Sequence, residues 1–291
     1  MALGLNGMIE SWEGWCVTLH EKMKYINHRN EVIEFGSRNL FINEMDLRDY
    51  AWNYDTAFGR IDNFRREAQE RELTISIYGK TELEVNQRKN EVFEVFEKDV
   101  LASKPGKLWI GDYYLSCYVF EGSISAYYRQ GNYLAKEIKI VTDEPYWIKE
   151  TSSIFKPSDE GQSERSFYNY DYPYGYSNNL GIRDINNNHF IEIDIKLIIY
   201  GPVSNPTIYI KGHQYKVNTE LLAGEYLTIS TKDKTVIKTK SNGETVNEFY
   251  KRDKAYNIFK KISPGSSFVS WDESFTFEII VVEERSEPKW T

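Results

Sequence analysis

The fold class is decided by one stretch, Leu221–Phe249, which reads LLAGEYLTISTKDKTVIKTKSNGETVNEF. Apolar and polar residues alternate around Leu227 and Ile229, as they do in a strand with one buried face. Residues 232–234 (KDK) have the composition of a turn, and Asn242-Gly243 predicts a tight hairpin of type I′. The stretch therefore predicts three strands in a meander. Such a meander needs further strands to cover its apolar face.

The second half of the chain supplies those strands. Residues 190–200 alternate strictly, so a slip of one residue would expose the whole apolar row. We expect the apolar row of this segment to face a core: Ile191, Ile193, Ile195, Leu197 and Ile199. Glu192, Asp194 and Lys196 are expected on the solvent side. Further short strands are predicted at 207–210, 214–217, 268–269 and 275–282. Strands at this spacing indicate a β-sandwich.

The first half combines strands with one long helix. Residues 71–79 alternate as a half-buried strand, and a helix is predicted over 82–103. Thr81 and Glu84 have the spacing of a capping box. One apolar stripe is expected along the helix: Val85, Val92, Phe93, Phe96 and Val100. Such a stripe usually packs on the protein's own sheet, although it also suits a partner. Short strands are predicted at 32–35 and 39–42, a connector at 59–63, a hairpin around Gly111-Asp112 and a strand at 135–141.

Length and pattern together predict the organisation of the chain. Its 291 residues suit about two domains of ordinary size. We expect a mainly β protein of the α+β class, with an N-terminal domain over 1–145 and a C-terminal β-sandwich over 146–291. Residues 145–180 are expected to contain a tyrosine-rich linker.

Composition argues against several classes of function. The net charge is −8 and no long Lys/Arg cluster occurs, which disfavours a nucleic-acid-binding role. No run reaches the roughly 18 apolar residues of a membrane span. Residues 1–15 lack the pattern of a signal peptide, so synthesis and assembly in the cytosol are expected. Cys16 and Cys117 are expected to be buried thiols, not a disulfide.

The tyrosine run at 168–176 is the strongest candidate for a binding site. Tyrosine offers a flat amphipathic surface at low entropic cost, which suits partner or glycan contact. The alternative is a linker whose rings cover the edge of the sandwich. The candidate contact residues are Tyr170, Tyr172, Tyr174 and Tyr176.

Other candidate sites have simpler structural explanations. Asp184–Asn188 places oxygen ligands at alternate positions, but His189 stands where a calcium loop needs glycine, so we expect a polar turn. Glu192 and Asp194 have a separation that glycosidases use, but a solvated strand face explains them better. The four histidines, His20, His28, His189 and His213, lack metal-site spacing. No nucleophile or phosphate-loop motif occurs. We therefore expect no catalytic residue, no metal and no cofactor.

The order of these features resembles the distal tail protein (Dit) family of phages with long non-contractile tails. The resemblance rests on an ordered set of segments: residues 71–79, the capped helix, PGKLWIGDYYL at 105–115, GPVSNP at 201–206, GEYLTIST at 224–231 and SPGSS at 263–267. The first 60 residues match the family least well.

The resemblance implies a structural role at the tip of a phage tail. The N-terminal domain would form a homohexameric ring, with a galectin-like sandwich outside it. The ring would join the tail tube protein and the tape-measure protein to the tail-associated hub protein, and would often carry receptor-binding proteins. DNA would pass through without being held, no membrane would be involved, and the protein would belong to the virion after assembly in the host cytoplasm. The family brings no catalytic residues.

Two other functions stay open at this stage. A carbohydrate-binding adhesin would use the galectin-like domain on cell-surface sugars. A glycoside hydrolase has the weaker case, since it would need the Glu192 and Asp194 carboxylates to converge in a pocket.

Overall fold

A computed structural model describes residues 22–36, 39–127, 132–157 and 184–290. The chain divides into two compact units. The first unit contains residues 1–147 together with 285–291, and the second contains residues 148–284. The C-terminal tail thus groups with the first unit, whereas the sequence pattern places it after the sandwich. Strands dominate the described residues, so the expected mainly β, α+β class is confirmed.

The first unit has nine strands and one α-helix among its described residues. In chain order they are β1 (Met23–Ile26), β2 (Val32–Phe35), β3 (Leu40–Met45), β4 (Asn53–Ala57), β5 (Arg60–Arg65), β6 (Gln69–Tyr78), α1 (Glu82–Ala102), β7 (Gly106–Ile110), β8 (Tyr113–Tyr127) and β9 (Tyr133–Thr142). Two antiparallel sheets share the long strand β8. Its first part pairs with β7 in the order β2-β1-β7-β8, and its second part pairs with β9 in the order β8-β9-β6-β3.

The core of the first unit is built from the inward residues of both sheets. Leu73, Ile75 and Ile77 of β6 are buried, as their alternation predicts. Ser76, on the opposite face, is buried as well, and its hydroxyl accepts a hydrogen bond from the Asn43 side chain. Both faces of this part of β6 are therefore covered.

Helix α1 begins at the predicted cap but packs with a different face from the one expected. The Glu84 amide donates to Thr81 Oγ1 over 3.2 Å, while the Glu84 carboxylate accepts from the Lys80 amide instead of the Thr81 amide. Phe93 and Val100 are exposed, so their assignment to the buried stripe is wrong. The buried residues are Val85, Val92, Val95, Phe96 and Asp99. The helix ends at Ala102, and the C-cap residue Ser103 adopts a positive φ of 51°.

The second unit is a sandwich of two antiparallel sheets. Its strands are β10 (Trp147–Phe155), β11 (Asp184–Asn187), β12 (Asp194–Tyr200), β13 (Val203–Ser204), β14 (Thr207–Ile210), β15 (His213–Lys216), β16 (Glu220–Leu221), β17 (Tyr226–Ser230), β18 (Thr235–Thr239), β19 (Thr245–Asn247), β20 (Gly265–Ser270) and β21 (Phe277–Arg285). The larger sheet has the order β19-β18-β17-β12-β21-β10 and the smaller one β11-β20-β14-β15. One apolar cluster fills the space between them, with Leu197 and Phe277 from the larger sheet and Ile208 and Val269 from the smaller.

The hairpin turns differ in part from those that the sequence predicts. The predicted meander β17-β18-β19 is present, but its second turn is not type I′, because Gly243 has positive φ and Asn242 does not. The loop has three residues, 241–243, and is closed by hydrogen bonding between Lys240 and Glu244. Three-residue hairpin loops typically end with glycine in the left-handed region. Positive φ at both central residues, as type I′ requires, occurs at Phe58-Gly59 and at Lys211-Gly212.

Three further expectations need correction. Residues 59–63, expected as a connector, belong to the β4–β5 hairpin. Residues 147–155, expected within the linker, form β10. In the segment 190–200, regular strand begins only at Asp194, and Ile191 is exposed and not part of the core.

Candidate interaction surface

The β4–β5 hairpin carries an unusual concentration of exposed apolar side chains. It forms a sheet of its own, with Tyr54 directly opposite Phe64. Every residue of β5 is exposed. The exposed apolar residues on and beside the hairpin, which we call the hairpin surface, are Tyr50, Trp52, Tyr54, Phe58, Ile61 and Phe64. Soluble proteins rarely leave such a set in water unless it contacts another molecule.

The base of the hairpin is held by arginine and glutamine side chains. The Arg71 guanidinium donates to the Asp49 carbonyl over 2.6 Å, and the Gln69 amide donates to the Ala51 carbonyl over 3.1 Å. The Arg66 guanidinium lies 5.4 Å from the centre of the Trp52 ring and 5.0 Å from that of Tyr146. Burial, with a smaller effect of the Arg71 charge, lowers the pKa of Arg66. These contacts fix where the hairpin leaves the sheets, while its outer part stays free of the core.

Phe58 occupies the tip of this hairpin in a conformation that does not suit it. Its φ is +52°, and its side chain is fully exposed. A bulky residue in the left-handed region is strained, and type I′ turns favour asparagine or glycine at this position. Strained residues often mark functional sites, so the exposed tip is a candidate for contact with another molecule.

Helix α1 offers a second apolar area. Leu83, Phe93 and Leu101 are exposed on it, and the Lys136 ammonium lies 5.8 Å from the centre of the Phe93 ring. The opposite face packs against β8, β6 and β2. The helix therefore packs on its own sheets, as one of the two alternatives from its sequence predicts. Contact of its outer apolar face with a partner stays a prediction.

A buried carboxylate anchors the helix to the first hairpin. Asp99 Oδ2 accepts a 2.6 Å hydrogen bond from the Tyr25 hydroxyl, and Asp99 Oδ1 lies 2.9 Å from the His28 amide and 2.5 Å from His28 Nδ1. Gly106 passes so close to Tyr25 and Asp99 that a methyl group there would collide with both. Sequence reasoning missed this cluster, because its members lie far apart in the chain and Asp99 stands among solvated glutamates.

The tyrosine residues proposed as a contact lie outside the described residues. Tyr170, Tyr172, Tyr174 and Tyr176 fall within 158–183, as Cys16 and His20 fall within 1–21. Their role stays a prediction. Cys117 is buried with a free thiol, as expected for that residue.

The two carboxylates considered for hydrolysis do not form a solvated acidic face. Asp194 is buried, where its carboxylate accepts from the Thr231 hydroxyl over 2.8 Å and pairs with the Lys261 ammonium over 2.7 Å. Its expected exposure is therefore wrong. Glu192 is exposed and accepts from the Ser263 hydroxyl over 3.0 Å. The charge of Asp194 is therefore balanced by Lys261, and its carboxylate holds Thr231 and Lys261 beside strand β12.

The segment 184–188 is part strand and part turn. Asp184–Asn187 forms β11, whereas a polar turn was expected. The buried Asn187 amide donates to the Ile191 and Ile262 carbonyls, each over 2.9 Å, and its oxygen accepts from the His189 amide over 2.8 Å. Asn187 thus organises the following turn through its own side chain. No group of three potential metal ligands comes together within the described ranges.

Taken together, these features define a class: a mainly β protein of two compact units, with one packed helix and an exposed apolar hairpin. No helix among the described segments combines the length and hydropathy needed to cross a membrane. No protein-family model matches the sequence, and no curated protein matches it.

Solved structures of phage proteins share this fold. A chain of the phage P2 baseplate in its activated conformation with calcium has 14% identity and a TM-score of 0.58, covering 92% of this chain and 99% of that one. The strontium form of the same baseplate gives 15% identity at the same TM-score and coverage. The Dit protein of phage SPP1, described as a paradigm of the hub adsorption apparatus in phages that infect Gram-positive bacteria, has 9% identity, a TM-score of 0.54 and 90% and 99% coverage. At the level of the fold, the resemblance to Dit proteins is confirmed.

Proposed function

We propose that this protein is a structural component of a phage tail tip, a baseplate hub adaptor that assembles as a homohexameric ring. The observation that carries the proposal is the extent of the shared fold. Nearly all of each Dit or baseplate chain is covered, together with at least 90% of this chain, so the likeness extends across both compact units. A fold shared over one common module would support the function far less.

The hairpin surface supports the ring. An isolated hairpin of two strands is marginal in water. The register of this one, with Tyr54 opposite Phe64 and Thr56 opposite Ile61, places its exposed apolar side chains on one face. If a neighbouring copy covers the six residues, roughly 500 Å² of apolar surface leaves water on this subunit. That area is a large part of the roughly 800 Å² that each partner contributes to a standard interface. In a closed ring each copy presents this surface to a different, complementary surface of the next copy, so one heterologous contact repeated around the ring closes the assembly.

The remaining parts of the proposal follow from the same role. The ring joins the tail tube protein and the tape-measure protein to the tail-associated hub protein, and carries receptor-binding proteins. The protein catalyses no reaction and binds no cofactor. Its net charge of −8 suits a channel that DNA crosses without being held. The second unit is a galectin-like domain at the outside of the ring, and Tyr170, Tyr172, Tyr174 and Tyr176 contact a partner or a glycan. The protein is assembled in the host cytoplasm.

The mass of the purified protein in solution tests the ring. Size-exclusion chromatography with light scattering at rising protein concentration, followed by negative-stain microscopy, should show a mass near six copies and a ring. The double variant Ile61→Ser/Phe64→Ser should fold normally and lose the assembly, because it removes apolar area that only the contact buries.

Phe268→Ser is the matched control. Phe268 is about as exposed as Phe64, but it lies on β20 of the second unit. A hexamer that persists in the double variant would show that the hairpin does not form the contact. A wild-type protein that stays monomeric at high concentration, and also in the presence of its neighbouring tail proteins, would contradict the adaptor. A carbohydrate-binding adhesin, the less favoured function, would instead be monomeric and would retain glycans.

A further inference from the structure

A ring requires a second surface on each subunit, distinct from the hairpin surface. If the hairpin surface met its own copy, the assembly would stop at two subunits, because such a contact closes on itself. The surface that receives the hairpin must therefore lie on another element of the chain, and it must suit both the apolar face and the charge of the hairpin.

The base of the hairpin surface carries two positive charges without a counter-ion. The partly exposed Arg66 and Arg71 guanidinium groups share the Gln69 side-chain oxygen, which lies 3.5 Å from the first and 2.7 Å from the second. Neither guanidinium pairs with a carboxylate of the described residues. Two carboxylates of this segment pair with Arg65 instead: Asp55 and Glu67. In a chain of net charge −8, this base is locally positive.

Helix α1 presents an apolar and acidic surface near its C-terminal end. Its exposed residues there, which we call the helix surface, are Phe93, Glu94, Glu97, Val100 and Leu101. Because residues three and four apart are neighbours on a helix, Glu97 stands at the centre of this surface. The last turn contains no basic residue, and neither glutamate forms an ion pair within the part of the chain that the structure describes. The Lys136 ammonium contacts the Phe93 ring, 5.8 Å from its centre.

The two surfaces also match in apolar area. The three apolar side chains of the helix surface expose roughly 300 Å², beside roughly 500 Å² on the hairpin surface. Their sum is about half of the roughly 1,600 Å² that a standard interface buries, and interfaces are typically a little over half apolar. The two surfaces are therefore large enough to form the apolar part of a stable contact.

On the basis of the ring proposed above, we propose that the hairpin surface of one copy docks on the helix surface of the next copy. The apolar hairpin residues cover Phe93, Val100 and Leu101, and the two arginines lie opposite the two glutamates. Two positive charges then balance two negative ones, which fixes how the copies align and disfavours contact of like surfaces. The helix packs on β8, β6 and β2, whereas the hairpin is a sheet of its own. Each copy can thus offer its hairpin to one neighbour and its helix to the other.

Charge reversal on the helix surface tests the contact without altering the hairpin. Glu94→Lys/Glu97→Lys changes two exposed side chains to another good helix former, so the subunit should fold normally, as circular dichroism can verify. Light scattering over a dilution series should show assembly weakened by about tenfold or more, because four like charges then oppose one another. Adding Arg66→Glu to this variant should restore assembly in part.

Asp184→Lys/Glu220→Lys is the matched control for charge. It makes the same change of net charge at two exposed residues of the second unit, and it should assemble like the wild type. If the control loses assembly as well, the effect of the helix variant comes from net charge and the proposed contact is wrong.

Mixing two variants tests whether the hairpin meets the helix. Ile61→Ser/Phe64→Ser keeps an intact helix surface, and Glu94→Lys/Glu97→Lys keeps an intact hairpin surface. Neither should assemble alone, whereas an equimolar mixture, well above the concentration at which the wild type assembles, should give a species with the mass of two copies. Growth stops there because each pair has one intact contact and no second one. A mixture that stays monomeric, or that forms rings, would overturn the proposal.

The results separate this contact from the ring itself. If the wild type and Glu94→Lys/Glu97→Lys both form hexamers, the contact is wrong and the adaptor stands. If the wild type forms open oligomers that the helix variant abolishes, the contact stands and the closed ring does not. A wild type that stays monomeric beside its neighbouring tail proteins would overturn both.

Discussion

At the scale of single residues, burial and not sequence context determines the behaviour of the key side chains. Asp99 follows the charged Lys98, and Asp194 alternates with apolar residues on the side expected to face solvent, so both look solvated in the sequence. Both are buried and held by donors that approach from distant segments. Alternation of hydropathy cannot reveal such partners, because they are brought together only by the tertiary fold.

Burial also makes stability depend on alkaline pH. Burial raises the pKa of the Cys117 thiol from 9.0 to about 12, and burial together with Cys117 and Asp99 raises the pKa of Tyr25. The folded protein therefore keeps protons that the unfolded chain releases. The stabilising contribution is complete below the unfolded pKa and is lost as the pH rises above it.

We expect the free energy of unfolding to fall as the pH rises from 8 to 10. The thiol of Cys117 should account for on the order of 1 kcal/mol of that fall. Cys117→Ala should be less stable at pH 8, because it leaves a small cavity, but should lose correspondingly less stability by pH 10. Urea unfolding of both proteins at the two pH values measures the difference. Equal losses in the two proteins would show that the thiol ionises normally in the folded state.

At the scale of elements, periodicity identified most strands and the helix but not always their faces. In α1, Phe93 and Val100 fit an apolar stripe by composition, yet the buried face runs through Val95 and Asp99. On that face the hydrogen-bonded carboxylate of Asp99 stands where an apolar residue would be expected. A search for apolar spacing therefore selects the wrong face of the helix. The Asn242-Gly243 turn shows the same limit, since a dipeptide signals a hairpin without determining its loop length.

The β4–β5 hairpin was missed as an element because its exposed residues follow no alternating burial. Its tip supplies a test that separates stability from assembly. Phe58→Asn puts a residue that tolerates positive φ at the first turn position, so the hairpin should open less readily, by up to about 1 kcal/mol. Amide hydrogen exchange of residues 53–65 in the monomer measures this change.

The same variant should assemble less well, because the Phe58 ring no longer reaches a neighbouring copy. Its dissociation should be compared with that of the wild type by light scattering over a dilution series. Phe58→Tyr is the control, because it keeps an aromatic side chain and the strained positive φ at this position. If Phe58→Asn assembles as tightly as the wild type, Phe58 does not take part in the contact, whatever the effect of the substitution on hydrogen exchange.

At the scale of the whole molecule, the first unit is completed by the end of the chain. The Arg48 guanidinium donates to the Pro288 carbonyl over 2.8 Å, lies 3.5 Å from the Glu287 carboxylate and stacks 3.6 Å from the centre of the Trp290 ring. Sequence periodicity cannot assign a segment this short to either unit, because residues 285–291 contain no repeating pattern.

Trp290→Ala should therefore destabilise the first unit and leave the second nearly unchanged. Loss of the stacked ring exposes the Arg48 side chain, and we expect a cost of about 1–2 kcal/mol. Hydrogen exchange should show faster opening around residues 40–48 and unchanged protection in β12 and β17. Faster exchange in the second unit alone would contradict the grouping of the tail with the first. Ser286→Ala, a change in the same tail at a residue outside the contacts of Arg48, is the comparison.

Strand β8 belongs to both sheets of the first unit, and this has a consequence for calorimetry. Neither sheet can melt while the other persists, because each would lose a bordering strand. The heat absorbed by this unit should come from one all-or-none event, whose van 't Hoff enthalpy equals its calorimetric enthalpy.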